Sequence, residues 1–301
     1  MLMLAGIVGL VAIGLALDFS GSGDHDAAPA EDLPEPEGDG GENPLPPIMP
    51  GPGPEGWGGP EDFGPSGPDE QGLTLQGGEG GESLDGSRFA DELRGGGGND
   101  TIHGHGGDDW IQGDAGDDMW GDDLIHGGDG NDWLSGQDGD DTIFGGEGDD
   151  TIFGGPGDDS LSGGRGDDRL HAGPGADTLD GDEGDDLLIG HAGPDSALLR
   201  GGEGDDTLMP AGNDIAAGGA GRDSFILTPG GNGIPQISDF DPDEDRLLIH
   251  IAGNPNDPAH LSLQSGQGGA QILNLNGAPI AELPAQAMLD PSQIGIVWVR
   301  Q

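Results

Sequence analysis

The chain has 301 residues, with 59 Asp and Glu against 8 Arg and no Lys, and a formal charge of −51. Phosphate binding needs basic patches, so nucleic acid is excluded as a partner. The absence of Cys excludes disulfides and thiolate metal sites as well.

Residues 1–17 (MLMLAGIVGLVAIGLAL) open at Met1, close at Leu17 and carry no charged side chain. That length sits at the short limit for crossing a bilayer, about 17 to 25 residues. An uncleaved anchor in contact with the membrane, a signal peptide cut near Gly14, Leu15 and Ala16, and a wrongly assigned start or local packing all remain open. No positive charge precedes Arg88, so the sequence carries no orientation signal. Residues 18–85 read as a disordered Pro, Gly and acid-rich linker, with eleven prolines between Pro34 and Pro68. Trp57 and Phe63 are read as isolated aromatics within it rather than as a docking motif.

Residues 86–226 are different in kind. From Gly127 to Ile189 one nine-residue phrase recurs seven times: GGDGNDWLS, GQDGDDTIF, GGEGDDTIF, GGPGDDSLS, GGRGDDRLH, AGPGADTLD, GDEGDDLLI. Each copy has Gly at place four, Asp at place six and a large aliphatic residue at place eight. GSRFADELR, beginning at Gly86, is a degenerate lead-in unit with Asp91 and Leu93 at places six and eight. Fifteen further units follow when counted by Asp at place six: Asp100, Asp109, Asp118, Asp123, Asp132, Asp141, Asp150, Asp159, Asp168, Asp177, Asp186, Asp195, Asp206, Asp214 and Asp223. On that count Trp120 and Ala197 fall at place eight. The period breaks at 113–126, four residues short of two units, at 190–200, two long, and at 210–217, one short.

Residues 227–301 lose the repeat. PQISDF, DRLLIHI, HLSLQS, AQILNLN and IGIVWV are short alternating runs split by turn residues. They predict a small antiparallel cap over the last coil, whose edge would otherwise stay open.

The triplet around place eight predicts a short strand with its central residue on one side. The preceding GGxGxD predicts a turn, because glycine adopts the backbone angles that bend it. One turn and one strand make half a coil, so units two apart stack. Asp132, Asp150, Asp168 and Asp186 form one column, and Asp141, Asp159 and Asp177 the other. Rungs about 4.8 Å apart bring these carboxylates together, and a cation must offset their repulsion. Calcium suits such a gap, since it accepts 6–8 oxygens at about 2.3–2.6 Å. Residues 95–226 hold 32 acids and 4 Arg, and a core of one aliphatic per unit is thin. The metal-free array is therefore expected to be mostly unfolded, with Ca²⁺ binding driving its folding.

Over residues 86–226 the sequence resembles the RTX (hemolysin-type) family of calcium-binding nonapeptide-repeat proteins. The resemblance implies an all-β fold, a parallel β-roll, with multiple Ca²⁺ held between loops. The ligands it implies are the place-six Asp100, Asp109, Asp118, Asp123, Asp132, Asp141, Asp150, Asp159, Asp168, Asp177, Asp186, Asp206 and Asp223, with glycine-turn carbonyls. At place five it adds Asn99, Asp108, Asp117, Asn131, Asp140, Asp149, Asp158, Asp167, Asp185 and Asp205. Ala176 and Pro194 at that place offer no side-chain ligand, and weakened sites are expected near 119–126, 190–200 and 210–217. The segment GGAGRDSFIL…ISDFDPDEDRLLI is also similar to the stretch that succeeds the last repeat in such proteins.

No H-E-x-x-H or G-x-S-x-G motif occurs, and no catalytic residue is assigned. His103 and His105 are expected as exposed polar residues of the roll surface. Phe144 and Phe153 are expected to pack under the C-terminal tail, with an outward contact patch as the alternative. The reading is a non-enzymatic, calcium-folded structural protein, extracellular or at the surface of a bacterium, with a membrane-anchored form as an option. The resemblance implies type I secretion machinery as a partner and a C-terminal secretion signal. The alternatives are an adhesin or matrix module and, after it, a hydrolase within the cap.

Overall fold

In the computed structural model, residues 71–115, 120–191, 193–230, 232–254, 259–285, 287, 289 and 294–299 are described. Residues 1–17, the linker as far as residue 70 with Trp57 and Phe63, and the candidate ligands Asp117 and Asp118 lie outside them.

Every place-eight residue from Ile125 to Leu188 sits within a short strand, as in Thr151–Phe153 or Ser160–Arg165. Alternation sends that residue inward and its neighbours outward. Leu93, Ile102, Ile111, Ile125, Leu134, Ile143, Ile152, Leu170, Leu179, Leu188 and Leu208 are all 0% exposed, and they form one line between two sheets. Each such burial is worth about 1.5–3 kcal/mol. Between strands the glycine at place four reverses the chain with positive φ, for example 134° at Gly130 and 123° at Gly148, a conformation that a side chain disfavours.

The chain winds as a parallel β-solenoid of about nine turns. From Thr74 to Ala252 consecutive strands alternate between a sheet of 11 strands and a sheet of 12. Within a sheet the register is one full coil of two units, with Leu161 opposite Leu179 and Ile152 opposite Leu170. Units two apart therefore stack, as the period predicts. Two strands precede the lead-in unit: Thr74–Gln76 pairs with Glu92–Gly96, and Ser83–Asp85 pairs with Thr101–Gly106. Leu75 and Leu84 pack on the core line there.

Two register readings are corrected. Trp120 is 68% exposed and takes no core place. Asp100 pairs along the stack with Asp123, 23 residues on rather than 18. Residues 113–126 are thus one unit with five extra residues at place three, not two shortened units. At 190–200 the two extra residues precede place six: Leu199, opposite Leu179, is the buried place-eight residue, Ala197 takes place six, and Asp195 is exposed.

The expected cap is more continuous with the roll than the alternating runs imply. Strand Arg246–Ala252 and then Ile294–Val299 extend the first sheet in parallel. Among the described residues, antiparallel pairing is confined to Leu261–Ser265, Gln271–Leu275 and Ala278–Leu283 at the end of the second sheet. The last of these escapes the alternating pattern because Pro279 demotes a strand reading. Its signal is the dipeptide Asn276-Gly277, whose φ values of 52° and 84° close a two-residue hairpin.

Phe144 and Phe153 face outward. Phe144 is 40% exposed and stacks on His126, which stacks on His103, with 4.9 Å between centroids in both pairs. On the other sheet Arg94, Trp110, Trp133, Phe153 and His171 form a second column, with ring centroids 5.0–5.5 Å apart and the Arg94 guanidinium 4.6 Å from the Trp110 ring. His105 is exposed and lies 3.6 Å from Asp85.

Candidate metal centre

Place six follows the turn and precedes the strand, so its side chain points back into the bend. There the aspartates form two buried ladders. In the first, the backbone N–H of Asp132 donates to Oδ1 of Asp150 (2.8 Å), Asp150 to Asp168 (2.7 Å), Asp168 to Asp186 (2.8 Å), Asp186 to Asp206 (2.9 Å) and Asp206 to Asp223 (3.0 Å). Asp91 and Asp109 continue it backward and Asp245 continues it forward. The second runs Asp100, Asp123, Asp141, Asp159, Asp177 at 2.8–3.0 Å. All of these are at most 5% exposed.

One oxygen of each carboxylate is thereby satisfied. The other, Oδ2, accepts no hydrogen bond in Asp100, Asp109, Asp123, Asp132, Asp141, Asp150, Asp159, Asp168, Asp177, Asp186 and Asp206. In all of these but Asp177, whose unit has Ala172 at place one, it lies against the glycine at that place. A methyl group on Gly145 would collide both with Asp150 Oδ2 and, at 2.5 Å, with the carbonyl oxygen of Gly163 one rung on. At Gly145 a carboxylate oxygen and a carbonyl oxygen thus converge in the space a side chain would take.

A buried carboxylate with a bare oxygen is costly when ionised. Burial first, and neighbouring carboxylates after it, push Asp109, Asp150 and Asp159 up to about 8. The same causes bring Asp123, Asp168, Asp186 and Asp206 to about 7. Asp132, Asp141, Asp177 and Asp223 rise to about 6, again mainly through burial. The backbone hydrogen bond to Oδ1 pulls each the other way without cancelling the rise. Hard oxygen donors carrying uncompensated negative charge fit a divalent cation of the calcium kind. Among the described residues no three His, Asp or Glu side chains converge as a metal cluster. A shell built here would therefore combine ladder carboxylates with turn carbonyls.

Place five behaves differently. Its side chains are exposed, and their Oδ1 atoms accept N–H groups from the next rung: Asp149 donates to Asn131 (3.0 Å), Asp158 to Asp140 (2.8 Å), Asp167 to Asp149 (3.0 Å) and Asp185 to Asp167 (3.0 Å). Asp158, Asp185, Asp205 and Asp108 accept from Ala176, Asp205, Arg222 and Asn131 in the same way. Asn99 donates its side-chain amide to Asp122 at 3.3 Å. These groups form a second, wetter carboxylate ladder on the rim of the turn rather than joining the buried one.

Asp122, Asp245 and Asp114 belong to these ladders or adjoin them, and the ligand set implied by the resemblance leaves out all three. Asp122 stands at place five directly before the counted Asp123, so the same count reaches it. Asp245 has a signal, since Leu247 stands two residues on as in every unit. Asp214 diverges: its Oδ2 is satisfied by Ala211 N–H at 2.8 Å, and its Oδ1 accepts from Ala197, not from another Asp.

The chain matches the family model described as "RTX calcium-binding nonapeptide repeat (4 copies)" in overlapping segments from residue 76 to residue 233. No curated protein matches it. Among solved structures it is similar to the AlgE6R3 subunit of the mannuronan C5-epimerase from Azotobacter vinelandii, with 28% identity over 46% of this chain and 77% of that one and a TM-score of 0.29. It is also similar to the extracellular lipase LipA from Serratia marcescens, with 21% identity over 70% of this chain, 39% of that chain and a TM-score of 0.20. The chain thus spans well under half of the lipase.

Proposed function

The chain belongs to the RTX calcium-binding nonapeptide-repeat family, and on that premise we propose that it is a non-enzymatic structural protein whose roll folds on binding several calcium ions. The observation that carries this reading is the run of buried place-six carboxylates, each with one oxygen that accepts no hydrogen bond. When bound, Ca²⁺ supplies positive charge and bonds to several oxygens at once. The chain's own groups do the rest: Oδ1 ties rung to rung, Oδ2 and the place-one carbonyl present oxygens to the cation, and the aliphatic line keeps water from the strand centres. A ligand bound only by the folded state shifts the folding equilibrium toward it.

Members of the family are typically secreted. Export by type I machinery as an unfolded chain in low cytosolic calcium, followed by folding outside a bacterium, is the route this proposal adopts. Among the described residues no helix is long and apolar enough to cross a membrane, and membrane contact through residues 1–17 stays part of the proposal. The test is circular dichroism of the full chain with chelator and with millimolar Ca²⁺. A large gain of β signal with calcium is expected, and the same β signal in chelator would defeat the reading.

A second reading, an adhesin or matrix module, is favoured by one observation, the outward column of Arg94, Trp110, Trp133, Phe153 and His171. Aromatic faces of this kind bind partners by stacking. Loss of glycan or cell binding on Trp133→Ala, with calcium-dependent folding intact, would support it.

A further inference from the structure

The unit at 113–126 differs from the others in more than its length. Place two holds Asp114, in register with Gly96 on the preceding rung. Asp114 ends the strand Trp110–Asp114, is 3% exposed, and neither of its carboxylate oxygens has a hydrogen-bond partner. The neighbouring Gly121 N–H is committed elsewhere, to the carbonyl of Asp138 at 3.3 Å. Asp123, from the same unit, is 3% exposed with its own Oδ2 unpartnered. That Oδ2 lies against Gly113, where a methyl group would collide with it and, at 2.7 Å, with the Gly136 carbonyl. Gly113 is the residue directly before Asp114. Asp123 and Asp141 are the charged groups that bear most on Asp114. Among the described residues, no other unit brings more than one bare buried carboxylate to its turn.

We propose that Asp114 and Asp123 together hold a hard divalent cation of the calcium class in a ladder site unlike the others, with two buried carboxylates from one unit. The inference rests on the calcium-binding reading above and adds a buried carboxylate at place two, where Asp182 of a later unit is exposed. Three buried oxygens, with the Gly121 N–H near Asp114 too weakly placed to count as a hydrogen bond, are a poor neutral arrangement and a good cation shell, once glycine carbonyls complete it. Doubling the local carboxylate charge raises affinity for the ion, so this site fills before the other ladder sites do. The five extra residues at place three accompany the exchange of glycine for Asp114 at place two.

The test uses the full chain stripped of metal and titrated with Ca²⁺ against a competing fluorescent chelator, which counts ions and ranks their affinities. Asp114→Asn and Asp114→Gly are compared with the parent and with Asp159→Asn. Both Asp114 variants are expected to lose one ion from the tightest class, or to bind it at least roughly tenfold more weakly, while still gaining β signal at saturating calcium. Asp159→Asn should leave that tightest ion in place. Asp114→Gly restores the residue that Gly96 shows to be tolerated at this place, so it keeps the test decisive if Asp114→Asn fails to fold. An unchanged count and affinity in Asp114→Gly overturns the site while leaving calcium binding by the roll intact. A parent that binds no calcium overturns both.

Discussion

The smallest unit of the design is one aspartate and one glycine, Asp150 and Gly145. The glycine is there because Asp150 Oδ2 and the Gly163 carbonyl occupy the space of a side chain. Gly145→Ala is therefore expected to push these oxygens apart and raise the calcium midpoint of folding by roughly tenfold, a loss of about 1.4 kcal/mol, read by titration of the β signal. Asp150→Asn tests the charge without the shape. It removes a bare buried anion, so the metal-free chain should gain β signal in chelator while its calcium midpoint rises. An unchanged or lower calcium midpoint would contradict the assignment of Asp150 as ligand. The repeat made the place-six residues legible from spacing alone. It could not show that place-five residues such as Asp140 and Asp149 sit on the rim, because both places carry the same carboxylate and only the direction of the bend separates them.

At the level of the strand and turn, each triplet contributes one inward side chain. Ile152→Ala is expected to cost about 2–5 kcal/mol, measured by urea unfolding in saturating calcium, because Ile152 is wholly buried between Leu134 and Leu170. The hairpin at Asn276-Gly277 is independent of the metal ladder. Gly277→Ala keeps φ near 84° only at about 1–2 kcal/mol, and its effect should appear equally at every calcium concentration above saturation. Strand positions followed from the period wherever it held. They failed at 113–126 and 190–200, where a count of Asp at place six assigned Trp120 and Ala197 to place eight. Insertions are absorbed in the turn, so the strand register survives them while the sequence count does not.

For the whole molecule, charge decides the conditions under which it folds. Asp132, Asp141, Asp150, Asp159 and Asp168 of the ladders rise, chiefly through burial, from 3.8 to between about 6 and about 8 in the folded chain. The folded state therefore holds more protons than the unfolded one across that interval. Without metal, their contribution to stability is fully present below about 4 and is lost as pH climbs through 6 to 8. In chelator the β signal should be larger at about pH 5 than at about pH 8.5, and saturating calcium should remove most of that difference. A metal-free β signal independent of pH over this range would show that the ladders are not buried as described.

The sequence by itself determined the period, the inward aliphatic line, the stacking of units two apart and the class of ion, because each depends only on residue type at fixed spacing. The tertiary structure alone decided which carboxylates are buried, that Asp114 lies beside Asp123 across an insertion, and that the last parallel strands extend the same two sheets. Those outcomes depend on how a turn folds over its neighbour, and contacts one full coil apart are set by the winding rather than by any local run of residues.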